Sequence, residues 1–152
     1  MPTLSATVTY ASAYMFHGLI FNSGNVLQPD ISIAWKGFYA GVWANWDFMD
    51  DNGTQNNDFE EWDYYAGYGY TFADVPALGA LSLEATYTYF DYPSFSDSDT
   101  QEISLAATLD DLLLQPSLTV GWDFENDMFW ASLGGSHSVA LTAISEKLSL
   151  DM

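Results

Sequence analysis

The bulky side chains of this chain recur at every second position, and this period most constrains what the chain can fold into. In WDYYAGYGYTF, residues 62–72, the even positions are apolar or aromatic, whereas the odd positions are small or polar apart from Tyr65. Successive side chains of a β-strand point to opposite faces, so such a strand has one bulky and one polar face. The same alternation occurs in residues 81–92, 102–109 and 114–124. It predicts an all-β protein.

The alternating segments predict eight strands, most of them about 9–13 residues long, which is the length a tilted strand needs to cross a bilayer. They cover residues 4–17, 26–35, 38–48, 61–72, 80–92, 101–109, 114–124 and 128–139, and a ninth strand begins near Lys147. Short turns, such as Lys36-Gly37, alternate with longer polar loops. This alternation is typical of an antiparallel up-and-down transmembrane β-barrel. We therefore predict one β-barrel domain over residues 1–152, with at least eight strands.

Aromatic residues cluster near the predicted strand ends, as they do at the two interfaces of a membrane. The aromatic girdle predicted at the long-loop end consists of Trp46, Phe48, Trp62, Tyr64, Trp122, Phe124 and Trp130. A second band at the other end contains Trp35, Phe38, Tyr70 and Phe72. The alternative is a soluble β-sandwich with an aromatic core. We favour the membrane interpretation, because a soluble barrel would place its apolar residues inside.

The charge of the chain is strongly unbalanced, with 21 acidic residues against two basic ones, and its formal net charge is −19. Such a chain repels nucleic acid and anionic lipid headgroups, and favours cations or partners with basic surfaces. Because 17% of the residues are aromatic, we expect a folded rather than a disordered chain. The absence of cysteine excludes disulfides, zinc–thiolate sites and cysteine nucleophiles.

If the bulky faces meet lipid, the acids of the opposite faces point into the lumen of the barrel. These lumen-facing acids are Asp30, Glu61, Asp63, Glu84, Glu102 and Asp123. Side chains fill the interior of a narrow eight-stranded barrel, and buried carboxylates need partners there. Four explanations stay open: a wide, water-filled barrel, bound cations, basic residues in a further part of the chain, or a basic segment of a partner protein. The first explanation predicts an acid-lined passage that prefers cations.

The segment DDNGTQNNDFEE, residues 50–61, is similar to a calcium-binding loop, because it combines oxygen ligands with a glycine. It does not have the spacing of that motif, since Phe48 stands where the first aspartate should be. We interpret it as a hydrated loop beyond the membrane. We expect no cofactor other than weakly bound Ca²⁺ or Mg²⁺, for which the candidate ligands are Asp50, Asp51, Asp58 and Glu60.

The segment GGSHS contains the candidates for catalysis, Ser136, His137 and Ser138. A nucleophile needs a positioned base, but adjacent residues of a strand point to opposite faces, so Ser136 and His137 cannot meet. His17 is a second candidate base, near a rim acid such as Asp47. We predict that the protein is not an enzyme. A soluble acidic β-sandwich that binds carbohydrate on its tyrosines and tryptophans is the alternative function.

Three stretches of the chain resemble a family of uncharacterised outer-membrane-type β-barrel proteins of Gram-negative bacteria. They are residues 14–35, residues 37–48 with the motif GFYAGVW, and residues 133–142, and the motif is the most specific of the three. The chain differs at His17, where the family usually has arginine, so any role of that arginine is not carried over.

The resemblance implies the bacterial outer membrane as location, and membrane lipid and outer-leaflet glycolipid as partners. It implies no active site. We therefore expect a passive, porin-like channel, or a structural component of an envelope complex with a basic protein partner. The final segment, LSLDM, has the pattern of a strand cut short, and bacterial single-chain barrels use even strand numbers. We expect the chain to be the N-terminal portion of a larger barrel.

Overall fold

The computed structural model describes residues 1–48, 58–93, 98–140 and 149–151. Within these ranges the chain forms β-strands and turns, and no helix there is long and apolar enough to cross a membrane. The strands are β1 (Thr3–Ala11), β2 (Tyr14–Phe16), β3 (Leu19–Asn22), β4 (Val26–Trp35), β5 (Phe38–Asp47), β6 (Asp58–Val75), β7 (Gly79–Asp91), β8 (Thr100–Leu109), β9 (Ser117–Asp123), β10 (Met128–Gly134), β11 (Ser138–Ala140) and β12 (Ser149–Asp151). The all-β prediction is confirmed.

Eight strands form one antiparallel sheet in the order β1-β4-β5-β6-β7-β8-β9-β10, and two small sheets pair β2 with β3 and β11 with β12. In the large sheet each strand pairs with the next one along the chain, apart from the excursion of β2 and β3. The edges of the sheet are β1 and β10, and within the described ranges no pairing joins them. Closure of the sheet into a barrel is therefore not part of the described structure.

The predicted strands match the central strands of the sheet closely. The predictions for residues 26–35, 38–48, 80–92 and 101–109 agree with β4, β5, β7 and β8 to within one residue at each end. β6 is longer than predicted, because it begins at Asp58 and continues to Val75. Strong alternation of bulky and polar residues thus located these strands well.

The predictions near the two edges of the sheet were wrong in part. The strand predicted over residues 4–17 ends at Ala11, after which the chain forms the separate hairpin β2–β3. The strand predicted over 128–139 ends at Gly134, and β11 follows as part of a different sheet. The strand predicted from residue 114 begins only at Ser117, because Leu114 and Gln115 adopt positive φ angles in the preceding turn.

The predicted ninth strand lies partly outside the described residues, which do not include Lys147. Its described part, β12, pairs with β11 and not with the large sheet. The segment therefore adds no ninth strand to that sheet in the described structure.

The large sheet has one polar and one apolar face, as the registers of its strands show. The polar face carries residues such as Asp30, Ser32, Thr86, Thr88, Glu102, Ser104, Thr119 and Ser132. The apolar face carries Leu4, Val8, Ile31, Tyr68, Leu83, Ile103, Leu105, Leu118 and Leu133, all of which are exposed. The buried acids, including Glu61, lie on the polar face. The sheet therefore exposes apolar side chains on one face and buries several charged ones, such as Glu61 and Glu102, on the other.

The two ends of the large sheet differ. At one end, which we call the turn end, Lys36 and Gly37 join β4 to β5 in a two-residue turn with φ angles of 50° and 87°. Two positive φ angles in succession define the type I′ turn, which fits the twist of a hairpin and suits glycine. The opposite end, which we call the loop end, holds the end of β5, the start of β6, the end of β7 and the start of β8, together with hairpin β2–β3. The candidate site lies at the loop end.

Candidate functional site

Hairpin β2–β3 covers the polar face at the loop end through aromatic contacts. The Tyr14 ring lies 5.5 Å from that of Trp43, and the Phe16 ring lies 5.3 Å from that of Phe90. Trp43 and Phe90 both flank Asp63 on the polar face. Aromatic pairs at such distances contribute about 0.5–1.5 kcal/mol beyond the burial of their area. The hairpin is therefore packed onto the sheet, and its residues form one wall of the site.

His17 connects the hairpin to the acids of the sheet. Its ring lies 3.8 Å from that of Phe16 and 4.2 Å from that of Trp130, and its Nε2 atom is 3.6 Å from Oε2 of Glu102. Burial lowers the pKa of His17 below its usual 6.5, so the imidazole is neutral at pH 7 and this contact is not a full ion pair. The acid that His17 approaches is Glu102, and not Asp47 as the sequence suggested.

Trp130 lies on the polar face, which corrects its assignment to the outward aromatic girdle. It pairs with Gly121 in the register of β9 and β10, and its Nε1 atom donates a hydrogen bond of 2.5 Å to Oε2 of Glu102. A Cβ at Gly121 would lie only 2.4 Å from the indole. Because glycine has no side chain, Gly121 leaves room for the indole of Trp130 to reach across the polar face to Glu102.

Glu61 lies at the floor of the site and is only 2% exposed. The hydroxyls of Tyr14 and Tyr92 hydrogen-bond to its carboxylate. Burial, and next the charge of Glu61, raise the pKa of both tyrosines, so these hydroxyls keep their protons as donors. The carboxyl group of Glu61 also hydrogen-bonds to that of Asp63, which lies two residues further along β6 on the same face. These two acids therefore form a pair at the floor of the site.

Asp123 has a structural role at the end of β9. Its Oδ1 atom accepts hydrogen bonds from the backbone N–H groups of Glu125 and Asn126, at 3.0 and 2.9 Å. Its Oδ2 atom accepts a third from the side chain of Asn126 at 2.8 Å, and the hydroxyl of Thr100 adds a fourth. A carboxylate that bonds the backbone two and three residues later stabilises a tight turn. Asp123 therefore holds the turn between β9 and β10.

All six acids predicted to face the lumen lie on the polar face, but the structure does not bring all six together. Glu61, Asp63, Glu102 and Asp123 gather at the loop end. Asp30 is separated from Asp63 by Trp43 on the intervening strand, and it accepts a hydrogen bond of 2.8 Å from the Tyr65 hydroxyl. Glu84 is exposed and pairs with Gly69 nearer the turn end.

The hairpin, the floor acids and the start of β10 enclose an open-mouthed cavity of about 610 Å³. Its lining includes three acids, several aromatic rings and, among the described residues, neither lysine nor arginine. The lining residues are Tyr14, Phe16, His17, Leu19, Phe21, Asn45, Glu60, Glu61, Tyr92, Ser98, Thr100, Asp123, Asn126, Met128, Phe129 and Trp130. This volume falls in the range of about 300–1,000 Å³ that is usual for small-molecule sites.

The candidate cation-binding loop falls largely outside the described residues. Asp50 and Asp51 lie there, and of Asp58 only the backbone, at the start of β6, is described. Glu60 is described, and its Oε2 atom accepts hydrogen bonds from Asn22 and Asn45 at 3.3 and 3.4 Å. Within the described ranges, no three histidine, cysteine, aspartate or glutamate side chains are grouped so that they could hold a metal ion. Weak binding of Ca²⁺ or Mg²⁺ stays a prediction.

Most of the other residues predicted for the aromatic girdle lie on the apolar face or beside it. Trp46, Trp62, Tyr64 and Trp122 belong to that face by their registers. Phe124 follows β9 and lies edge-on to Trp122 at 5.0 Å, while Phe48 follows β5 and contacts Trp46 at 5.9 Å. The rings form a patch at the loop end. Its role at a membrane interface stays a prediction.

The serine residues considered for catalysis are separated in the structure. Ser136 donates a hydrogen bond of 3.1 Å to Oε1 of Gln115. Ser138 belongs to β11, in a different sheet. The geometry therefore supplies no argument for a serine nucleophile activated by His137.

The hairpin residues Tyr14 and Phe16, and with them the partner Tyr92, were not predicted from the sequence as residues of the site. The signal that would have found the hairpin is the dipeptide His17-Gly18, with φ angles of 48° and 81°. Two positive φ angles form the same type I′ turn that joins β4 to β5, and histidine is among the residues that tolerate this conformation. The dipeptide lies between the apolar triplets YMF and LIF. The spacing is that of a short hairpin.

The fold is therefore that of an all-β protein with an acidic and aromatic site at one end of an eight-stranded antiparallel sheet. The chain belongs to the Gcw_chp family, described as bacterial protein of unknown function, whose family model matches residues 2–135. This confirms that the resemblance noted from the sequence concerns an uncharacterised bacterial family. No curated protein and no solved structure matches the chain.

Proposed function

We propose that the protein is a β-barrel of the bacterial outer membrane, in which the polar face lines an acidic passage that prefers cations. The observation that carries this proposal is the inverted polarity of the large sheet. Leu4, Leu105 and Leu133 are 74%, 53% and 84% exposed, whereas Glu61 and Glu102 are 2% and 5% exposed. A soluble protein buries its apolar side chains, and large exposed apolar surfaces mark contact with a partner or with lipid.

The height of the apolar face matches the height of the apolar band in transmembrane β-barrels. Along β6 the outward aromatic residues extend from Trp62 to Phe72. A rise of about 3.3 Å per residue gives about 33 Å along the strand, and a tilt of about 40° reduces this to about 25 Å. Transmembrane barrels have an apolar band of about 25 Å, with aromatic residues at both interfaces. Trp35, Phe38, Tyr70 and Phe72 are exposed at the turn end and would form the second interface.

Closure of the sheet is part of the proposal. Among the described residues, no strand pairs with the outer side of β1 or β10, and a lipid environment does not tolerate unpaired backbone groups because they find no water there. In the membrane, β1 and β10 therefore pair with each other, or with further strands, to close a barrel. An open sheet of this polarity would be expected to aggregate in water.

The acids of the polar face support a preference for cations. Asp30 and Glu84 also lie on the polar face, and Glu84, opposite Gly69, extends its acidic character toward the turn end. The only described lysine, Lys36, lies in a turn with its ammonium 5.0 Å from the Trp35 ring. A passage lined with carboxylates attracts cations and repels anions.

A structural role in an envelope complex is the second candidate, and the position of hairpin β2–β3 favours it. The hairpin covers the polar face at the loop end, where Tyr14 is 8% exposed. A barrel whose passage is narrowed by this hairpin would conduct few ions. The acidic loop end would then serve to hold a partner with a basic surface.

The test of the proposal begins with the electrophoretic mobility of the outer-membrane fraction, with and without boiling in detergent. A transmembrane barrel resists unheated detergent, so we expect a band that shifts on boiling. The same protein reconstituted in planar bilayers is then expected to conduct, with a reversal potential in a KCl gradient that indicates cation preference. Glu84→Gln should reduce this preference. Anion preference would overturn the channel proposal, and a heat-modifiable protein without conductance would favour the structural candidate.

A further inference from the structure

A buried layer of side chains separates two parts of the polar face that water can reach. Toward the turn end, Glu84 is exposed and Thr86 of the same strand is half-buried. At the loop end, the open-mouthed cavity admits solvent. Between these regions lie Glu61, Phe90 and Glu102, which are 2%, 4% and 5% exposed and which we call the buried layer. An ion that followed the polar face from one region to the other would have to cross this layer.

Hairpin β2–β3 is the element that covers the buried layer. Three residues of the hairpin each contact one residue of the layer. The contacts are a hydrogen bond from the Tyr14 hydroxyl to Glu61, ring packing of Phe16 on Phe90 at 5.3 Å, and an approach of His17 Nε2 to Oε2 of Glu102 at 3.6 Å. The docked hairpin therefore excludes water from every member of the layer.

The hairpin is attached to the sheet through side chains. Its strands β2 and β3 pair with each other, and among the described residues no strand pairing joins either of them to the large sheet. Residues 12–13 and 23–25 connect it to β1 and β4. The hairpin can therefore leave the polar face without breaking a strand pairing of the large sheet. Its departure would return Glu61 and Glu102 to water, which offsets part of the lost ring contacts.

We propose that hairpin β2–β3 is the gate of the passage, and that the docked hairpin is its closed state. Ions cross the polar face only while the hairpin is away from the buried layer. The opened passage then exposes Glu61 and Glu102, whose charge favours small cations. This inference rests on the proposed function, because a gate needs a passage. A gate changes the fraction of time that a channel is open, whereas a fixed constriction changes the current through the open channel.

The test is single-channel recording of the full chain in planar bilayers, for the native chain and for Phe16→Ala. In the native chain we expect brief openings separated by long closed periods. The Phe16 ring packs on Phe90 in the docked hairpin, so its removal weakens the closed state. The open fraction should therefore rise by at least about fivefold, while the single-channel conductance stays the same.

Met15→Ala is the matched control. Met15 is the neighbouring residue of the same strand, and its side chain points away from the sheet and is 62% exposed. This variant should change the open fraction by less than about twofold. A band that shifts on boiling shows that each variant has folded. If Phe16→Ala changes the single-channel conductance and not the open fraction, the hairpin is a fixed constriction and the inference is overturned.

A cross-link tests the same movement by holding the hairpin in place. The chain has no cysteine, so Phe16→Cys and Phe90→Cys can be combined and joined by a short bifunctional maleimide that contains a cleavable disulfide. The double variant should open frequently before cross-linking, fall silent after it, and open again when a reductant cleaves the linker. Unchanged openings in the cross-linked protein would overturn the inference.

The gate and the channel fail in different ways in these recordings. Cation-selective current that responds neither to Phe16→Ala nor to the cross-link would overturn the gate and leave the channel. Silence of every variant, although each gives a band that shifts on boiling, would overturn the channel and the gate with it.

Discussion

Gly121 and Trp130 lie nine positions apart in the chain and depend on each other in the fold. The indole of Trp130 occupies the space where a side chain at position 121 would stand, and there it reaches Glu102. Tyr65 lies over Gly41, and Tyr39 lies over Gly67, in the same manner. Aromatic side chains that cover a glycine on the neighbouring strand fix the register of that pair.

Gly121→Ala is predicted to destabilise the fold by about 1–3 kcal/mol, because its Cβ would overlap the indole of Trp130 and force it from its position. The measurement is the free energy of unfolding in urea, from detergent or lipid vesicles. Gly69→Ala is the matched control, because a Cβ there would meet its nearest atom at an ordinary 3.6 Å. The prediction fails if the two alanine variants are equally stable.

The side of the sheet on which each residue lies could be predicted from the sequence, but particular contacts could not. Glu61 and Glu102 were correctly expected opposite the bulky face, since a period of two fixes the face of a strand. Trp130 was placed on the wrong side because it was grouped with aromatic residues near strand ends, without regard to register. The pairing of β10 with β9 puts it opposite Gly121, and a single sequence does not contain that pairing.

Hairpin β2–β3 is an element that the alternation of bulky and polar residues did not predict. Residues 4–17 alternate as if they formed one strand, but the sheet strand ends at Ala11 and the hairpin leaves the sheet. Only the turn His17-Gly18 marks the reversal, and histidine is an uncommon first residue for a type I′ turn. The central strands were located well because their alternation is long and is bounded by glycine- or acid-rich turns.

The docking of the hairpin is predicted to weaken at acidic pH through His17. Burial lowers the pKa of His17 in the folded protein below its usual 6.5, so the unfolded chain binds this proton more readily. The contribution to stability is therefore complete above about pH 6.5, and it is lost as the pH falls from that value toward the lowered pKa of the folded state. The neighbouring acids are Glu102 and Asp123.

The measurement is the free energy of unfolding at about pH 8 and about pH 5, for the native chain and for His17→Gln. The native chain should lose more stability between these values than the variant does. Titration of Glu102 and Asp123 contributes to both proteins, so the difference between the two isolates His17. Equal losses would show that His17 is not responsible.

The whole sheet follows a single rule, by which each strand turns its apolar residues to one side and its polar residues to the other. This rule could be predicted from composition and period, because it needs no knowledge of which strands are neighbours. Closure of the sheet could not be established in the same way, because it depends on how the two edges β1 and β10 meet. The exposed apolar face is nevertheless a property of the folded sheet itself, and it requires a lipid or protein partner.

The proposal that the large sheet spans a membrane is tested most directly by the lipid accessibility of successive residues along β8. The protein is reconstituted in lipid vesicles for this measurement. The chain has no cysteine, so single cysteines at Ile103, Ser104, Leu105, Ala106 and Ala107 can each carry one fluorophore without competing labels. A nitroxide-bearing lipid should quench the label at 103, 105 and 107 and leave it bright at 104 and 106, because the odd positions lie on the apolar face. Quenching without alternation, or alternation in the opposite phase, would contradict a membrane-spanning sheet.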